Sequence, residues 1–567
     1  MSNEFLINTY GAQWQENPDI TRLKDGSIVV VWDSFFSEDD IDVYYIAMQH
    51  YTAAGRRIGG ETILNAFDGA QSRHPSVTAL ADGGFAVAWE SAIGDSILDQ
   101  SDLYMAAYDK NGTRRGNPVL VDGANRDDQY AASIVATSDG GTIVTWSSYE
   151  GPKTEKQDEI YVRRFDADGD PIGARRLVNQ FHTFDQHNSR ATMLSNGTVL
   201  ITWESQYAGG PTPSGVNDDG VRARLYSQTL RPLSDEFLLI ARDDGMNSGI
   251  GLTDSAVDVA AMKDGRFVAS WYETVLHDDR DTTFEIHAQI YDNVGSKIGR
   301  EIAVRAKSVS VPDHSAVTVL SDGKFVVAWD AFGSQTYAFE EVWARVYDAN
   351  GRALGAEFRV NPPSGRTVQD NPELQALPGG GFWVVYQSEY LDGDDEAIAG
   401  RIYNVGSFGR DVQTMTQAGT YRALAGADDL TGSAGDDILH LGRGDDLAFG
   451  GAGDDVLRGG LGADRLDGGA GADRYLYARA EASLADRPDT VVLEGGHDRI
   501  VLSHFDAVST AEGRQSFVWI AGAAFSGQAG ELRFAGGVLA ADLDGDARAD
   551  FAIRVTGDAV TPAELIL

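Results

Sequence analysis

Over the first 408 residues, apolar and polar positions alternate in short runs, the period of half-buried strands rather than of helices. Asp-Gly and Asn-Gly pairs punctuate the runs and suit hairpin turns. One run recurs: DGSIVVVW, DGGFAVAW, DGGTIVTW, NGTVLITW, DGRFVASW, DGKFVVAW and GGGFWVVY. Its turn glycines are Gly26, Gly83, Gly140, Gly197, Gly265, Gly323 and Gly380, at steps of 57, 57, 57, 68, 58 and 57 residues. Six residues after each comes Trp32, Trp89, Trp146, Trp203, Trp271, Trp329 or Tyr386. The fourth step is long because the loops around 209–220 and 239–254 are long. The second unit displays four strand-like runs: HPSVTAL (74–80), GFAVAWES (84–91), DLYMAAYD (102–109) and NPVLVD (117–122). Four short antiparallel strands at a fixed interval describe a propeller blade. Units this small are unable to bury a core alone.

The seventh unit has a third run at 397–404 but no fourth. Phe5-Leu6-Ile7-Asn8 reads like Phe358-Arg359-Val360-Asn361, a fourth run elsewhere. Residues 4–9 are therefore expected to pair with 397–404, closing the ring and removing an edge strand. The fold class expected is all-β: a seven-bladed β-propeller over 1–408, a linker at 409–422, a parallel β-roll at 423–480 and a small β-rich region at 481–567.

The roll rests on a second period, of nine residues: ALAGADDLT, GSAGDDILH, LGRGDDLAF, GGAGDDVLR, GGLGADRLD and GGAGADRYL. Gly426, Gly435, Gly444, Gly453, Gly462 and Gly471 hold one position; Asp428, Asp437, Asp446, Asp455, Asp464 and Asp473 hold another, two residues on. Two repeats complete a coil, so residues eighteen apart stack. Asp428, Asp446 and Asp464 share one edge, and Asp437, Asp455 and Asp473 the other. Glycine turns aim carbonyls inward, and a hard cation such as Ca2+ takes six to eight oxygen ligands. The stretch 423–476 carries eleven Asp against four Arg, so metal binding and folding are expected to be one process. Several Ca2+ ions are expected, with at least four sites between successive aspartates of each edge. This pattern resembles the GGxGxDxUx repeat of RTX proteins.

Charge and composition narrow the partners. The chain has 567 residues, 86 acidic and 46 basic, for a net charge of −40. That opposes nucleic acid and anionic membrane surfaces. No cysteine is present, which excludes disulfides and thiolate chemistry. No apolar run is long enough to span a membrane, and the N-terminus carries neither the basic nor the apolar region of a signal peptide.

The tail supplies another route. HDRIVLSHFD (497–506), LAADLDGDARADFAIRV (539–555) and TPAELIL (561–567) resemble the C-terminal domain of serralysin-type proteases, which ends, as Glu564-Leu565-Ile566-Leu567 does here, in an acidic residue followed by apolar ones. The resemblance implies export by type I secretion machinery reading an uncleaved C-terminal signal, hence a secreted protein, either free or associated with the cell surface. Asp542, Asp544, Asp546 and Asp550 form a further candidate cation group, although Gly545 and the missing terminal Glu do not fit an EF-hand.

Catalytic motifs are wanting. No His-Glu-x-x-His, no Gly-x-Ser-x-Gly and no Ser-x-Asp-x-Gly-x-x-Trp box occurs. The repeated Trp reads as inter-blade contact, whereas Trp343, Trp383, Tyr337 and Phe339 are expected as an exposed aromatic surface. Acidic loops at 37–42, 156–160, 217–220, 277–281 and 392–396 would share one rim. Asp166, Asp168 and Asp170 alternate like a calcium loop, but their place between strands favours an Asp-Gly turn. The reading favoured is a secreted, calcium-dependent binding or adhesion protein whose propeller faces an extracellular glycan or surface ligand, with no catalytic residue assigned. The alternatives are an extracellular enzyme on a polysaccharide or other polymer, its site in the propeller channel near His277 and His287, and a structural component of a surface or matrix.

Overall fold

The computed structural model describes residues 4–9, 14–38, 41–65, 70–93, 101–122, 128–150, 157–182, 185–206, 220–241, 257–276, 282–308, 314–332, 340–361, 368–389, 391, 396–406, 411–415, 418–478, 482–494, 496–503, 505–509, 515–558 and 560–567. The acidic rim at 277–281, the loop residues 209–219, and His277, Tyr337 and Phe339 lie outside them. The chain forms two compact units, one of Glu4–Arg401 and one that holds Ile402–Leu567. Almost every element is a strand.

The first unit is propeller-like. Its first sheet runs through Gln15–Arg22, Ile28–Glu38, Ile41–Tyr51 and Arg57–Ile63, and five more four-stranded antiparallel sheets repeat that order. The first strand of each repeat touches the first strand of the next, and Gln369–Ala376 in the last repeat returns to Gln15–Arg22. The discrete four-stranded sheets number six, not the seven expected. Strands Gln369–Ala376, Phe382–Glu389 and Glu396–Val405 belong instead to a ten-stranded sheet, because Glu396–Val405 runs on past Arg401 and its last residues, Tyr403 to Val405, pair in parallel with Thr420–Arg422.

Phe5 pairs with Gly400 and Leu6 with Ala399. Asn8 adds a side-chain bond: its Oδ1 accepts the Ile398 amide at 2.9 Å. Asn65, Asn179 and Asn361 do the same for Ile46, Ile160 and Val342 at 2.6–2.9 Å. The N-terminal segment thus occupies the place of a fourth strand.

The repeated aromatics are buried: Trp32, Trp89, Trp146, Trp329 and Tyr386 are fully covered, Trp203 and Trp271 nearly so. Two expectations fail here. Trp383 is fully buried, donating to the Ala53 carbonyl at 2.9 Å and meeting Phe5 edge-on. Trp343 packs partly buried against the neighbouring core. Trp383 lies in a strand buried on both faces along seven of its eight residues, and Trp343 on the half-buried face of Glu340–Tyr347.

In the second unit, six-residue strands such as Ile438–Arg443 and Val456–Leu461 pair in parallel with partners eighteen residues on. Two facing apolar rows fill the roll, Leu430, Ala448 and Leu466 from one sheet and Leu439, Leu457 and Tyr475 from the other, joined by Leu441. Strands Val412–Thr414 and Thr420–Arg422, in the stretch expected to be linker, already pair in parallel with roll strands. They lack the glycine-aspartate signature but supply backbone partners to the first coil. Asp489–Leu493 and Arg499–Val501 extend the ladders at the far end, and Leu565–Ile566 lies parallel to Arg499–Val501.

Candidate functional site

Each repeat aspartate of the roll is 0–2 % exposed. Stacking at eighteen residues gives each a fixed job. Asp446 Oδ1 accepts the Asp428 amide at 2.8 Å, Asp464 that of Asp446 at 3.0 Å, Asp455 that of Asp437 at 2.7 Å, and Asp473 that of Asp455 at 2.9 Å. The first coil joins through Asp411, whose amide goes to Asp428, and Gly419, whose amide goes to Asp437.

The second oxygen tells the two kinds of aspartate apart. Oδ2 of Asp428, Asp446, Asp455, Asp464 and Asp473 is buried and has no hydrogen-bond partner. A buried carboxylate oxygen without a donor is costly. Burial, reinforced by neighbouring aspartates, accordingly raises these carboxyls: Asp446 and Asp473 to about 6, Asp455 to about 7 and Asp464 to about 8. Asp428 and Asp437 are raised as well, again mainly by burial.

Glycine keeps the space beside these oxygens open. A Cβ at Gly450, Gly459 or Gly468 would stand 2.1–2.2 Å from Oδ2 of Asp455, Asp464 or Asp473. Gly444, Gly462 and Gly471 have φ of +145° to +149°, and a Cβ on them would strike the carbonyl of the glycine eighteen residues earlier at 1.5–1.8 Å. Gly426 and Gly453 also lie at positive φ, whereas Gly435 does not. Oxygen-only donors, an unanswered buried negative charge and a cradle closed to side chains fit a hard divalent cation such as Ca2+.

Two members of the ladder escape the nonapeptide pattern. Asp489 Oδ1 accepts the Asp464 amide at 2.9 Å and Asp498 Oδ1 that of Asp473 at 3.0 Å, each across 25 residues instead of 18. Their second oxygens are satisfied by protein, Asp489 by the Tyr477 hydroxyl at 3.0 Å and Asp498 by the Glu494 amide at 2.8 Å. The apolar strands that follow them, DTVVL and RIV, were the available sequence signal.

Of the C-terminal aspartates, Asp542, Asp544 and Asp550 bring oxygens within 4.8 Å of one another, without Asp546. Asp542 is fully buried, but both its oxygens accept turn amides, from Gly545 and Ala547, and Asp550 Oδ2 accepts the Leu543 amide. This is a self-capped turn. Asp166 likewise caps its own turn through the Asp168 and Asp170 amides.

The propeller unit holds a different constellation. In five repeats the first strand carries a bulge at a residue of φ +49° to +52°: Asn17, His74, Ala131, Asn188 and Asn371. Each stands nine residues before the turn glycine. In three repeats the residue after the repeated aromatic reaches the bulge of the following repeat. Glu90 accepts from the Ala131 amide at 2.7 Å, Gln387 from that of Asn17 at 3.0 Å, and Asp330 from that of Asn371 at 3.2 Å. Seven residues before the turn glycine, Asp19 and Asp258 accept the Val77 and Val317 amides, both at 2.7 Å, and Ser133 accepts that of Ala191. Each bond joins one repeat to the next.

Arg190 and Glu373 occupy ring positions equivalent to Asp19. Instead of capping an amide, they face each other at 3.6 Å, with Asp258 at 3.4 Å from Arg190. They line a cavity of 540 Å³ together with His74, Glu90, Tyr130 and His314. His74 lies 3.0 Å from Glu90 and His314 3.1 Å from Asp330. Burial pushes Glu373 upward against the pull of Arg190. Burial works against the His74 charge, and Glu90 overrides it, lifting the imidazole to about 9. His287, singled out in the sequence, is not in this cavity: it is buried, stacked on Trp271 and bonded to Glu301 at 2.8 Å.

Residues 428–567 match the family model described as Peptidase M10 serralysin C terminal. This segment is similar to serralysin C-terminal domains. The match covers about a quarter of the chain, and none of the propeller-like unit. No curated protein is similar enough to count as a relative. Among solved structures, a protein of unknown function from Dyadobacter fermentans is 11 % identical, with 70 % of this chain and 97 % of that chain covered and a TM-score of 0.40. An α-L-arabinanase of Penicillium chrysogenum is 12 % identical, covering 70 % and 98 %, TM-score 0.38. The NanB sialidase of Streptococcus pneumoniae is 10 % identical, covering 70 % and 68 %, TM-score 0.35. Likeness at this level carries no function. Among the described residues, no helix is long and apolar enough to cross a membrane.

Proposed function

We propose that the chain is a secreted protein whose C-terminal roll folds on calcium and whose propeller-like unit binds an extracellular glycan or surface ligand. The observation that carries the calcium part is the set of five buried, unpartnered Oδ2 atoms, repeated at one place of a glycine cradle. Asp428, Asp446, Asp455, Asp464 and Asp473 supply these oxygens to the sites, with carbonyls from the glycine turns. The serralysin-type domain supports export by type I machinery, with Glu564–Leu567 as the recognised segment. Cytosolic calcium is too low to fill weak extracellular sites, so the roll stays unfolded inside and folds on arrival outside.

The deciding experiment is calorimetric titration of chelated protein with calcium, followed in parallel by far-UV circular dichroism. Uptake of at least four ions together with a gain of β signal is the expected result. Absence of uptake ends the calcium reading. For the propeller-like unit, a glycan array probed in calcium tests binding.

The cavity favours a second reading, an extracellular enzyme acting on a polysaccharide. Arg190 and Glu373 are the ring positions freed from amide capping, and they open on His74, His314 and Tyr130. Release of reducing ends from a polysaccharide panel, abolished by Glu373→Gln with the fold intact, would select that reading. A glycan bound without turnover selects the first.

A further inference from the structure

The second residue of each nonapeptide sets the shape of the cradle, and two repeats lack glycine there: Leu424 in the first, still at a φ of +27°, and Ser433 in the second. Gly442, Gly451, Gly460 and Gly469 hold this position with φ between +88° and +113°. In the second repeat it is Ser433, which does not take a positive φ. A residue with a Cβ avoids that region. Because φ turns the residue's N–H relative to the chain that follows, the Ser433 amide swings toward the aspartate four residues on. It donates to Asp437 Oδ2, and the Ser433 hydroxyl donates to the same oxygen at 2.9 Å.

Asp437 is consequently the one repeat aspartate whose second oxygen is answered by protein; the other five remain without a partner. Its first oxygen is engaged as well, by the Gly419 amide at 2.7 Å. Two donors of positive partial charge point at the place where a cation would have to sit. An ion there would have to displace the hydroxyl and turn the peptide back.

We infer that Ser433 is a built-in substitute for calcium: it plugs the Asp437 position, so that on this edge of the roll metal loading starts at Asp455. On the other edge it starts at Asp428, whose Oδ2 is open. The two edges of the roll therefore differ in capacity by design of one residue. At the opposite end, the Tyr477 hydroxyl on Asp489 and the Glu494 amide on Asp498 do the same work, so the ladder is closed by protein donors and filled by metal between them. This inference rests on the calcium reading given above.

The test uses the full chain and counts ions. Ser433→Gly restores a residue that accepts the left-handed φ, and it removes the hydroxyl. Titration of chelated S433G with calcium is expected to show one more ion per chain than wild type. Asp437→Asn is expected to leave the wild-type count unchanged, whereas Asp455→Asn lowers it by at least one. An S433G count equal to or below wild type overturns the inference, and a lower one would make the hydroxyl a ligand. A count that falls in D437N overturns it too, and that variant keeps Ser433 in place should S433G fold poorly. If wild type takes up no calcium at all, the calcium reading falls and this inference with it. If wild type loads and S433G matches it, only this inference falls.

Discussion

The two units solve one physical problem in opposite ways. Both bury acidic side chains at regular intervals. In the propeller-like unit, the buried acids and amides at the ring are answered by backbone N–H groups of the next repeat, as Asp19 is by Val77 and Asp258 by Val317. In the roll, each aspartate answers one amide and leaves its second oxygen open at five of six positions. In the first arrangement Asp19 and Asp258 are answered by polypeptide. The second leaves those oxygens without a protein donor. A ring of large repeats meets itself, and its adjoining first strands bring amide donors to these acids. A roll of nine-residue repeats has two short facing apolar rows and no spare donors, so its core alone does not offset the charge it encloses.

The largest effect that would break this contrast is removal of calcium. Each ion held at a hundred times its dissociation constant adds about 2.7 kcal/mol; four or more sites supply more than about 10 kcal/mol. Chelation should therefore abolish one melting transition, that of the roll, and leave the other in place. Loss of both, or of neither, in differential scanning calorimetry would erase the distinction between the units.

Asp446→Ala should follow in size. Asp446 is the middle rung of its edge, takes the Asp428 amide and offers one of the open oxygens. Its loss affects the rungs on both sides, about 5 kcal/mol at the same saturation. The roll transition in calcium should fall sharply while the propeller transition holds.

Asn8→Ala sharpens the other half. It leaves the buried Ile398 amide without its acceptor, a cost of about 1–3 kcal/mol. The propeller transition should drop by several degrees and the calcium-dependent one should not move. A deletion of residues 4–9 should do the same more strongly.

The smallest expected effect concerns pH. Asp33 is raised to about 7, chiefly by burial, with Asn17 bonded to its Oδ2 at 3.2 Å. Its folded pKa lies above its unfolded one. It therefore favours the native state most fully below about pH 4, and the contribution fades as pH rises through about 7. Asp33→Asn should make the propeller melting point less dependent on pH between 4 and 8, with variant and wild type closest at the acid end. Parallel melting curves across that window would show that the group is not perturbed.

Much of this was legible in the chain. The turn glycine and the aromatic six residues on announce a strand ending in a buried ring, because a hairpin and a two-residue alternation are local geometry. The pairing of Phe5-Leu6 with the strand at 396–405 was readable because the segment repeats the pattern of 358–361. The nonapeptide announced which aspartates stack, since eighteen residues make one coil.

Other features depended on what the fold brings together. The number of separate four-stranded sheets turned on whether Glu396–Val405 ends or runs on to meet Thr420–Arg422, a choice made by pairing between segments. Trp383 was misplaced as surface because its local run does not reveal that Ala53, 330 residues away, lies against it.

What the sequence determined by itself was everything set by period: the strands, their turns, the buried aromatic of each repeat, and the stacked aspartates with glycines beside them. What only the tertiary structure decided was which polar groups find partners across repeats. The bulge amides of Asn17, Ala131 and Asn371 meet side chains of the neighbouring repeat because the ring brings first strands side by side. Asp489 and Asp498 join the ladder because an irregular loop of the right length resets the register. Ser433 closes Asp437 because its backbone angle aims its N–H at that oxygen. Period is a property of neighbours along the chain; satisfaction of a buried charge is a property of neighbours in space.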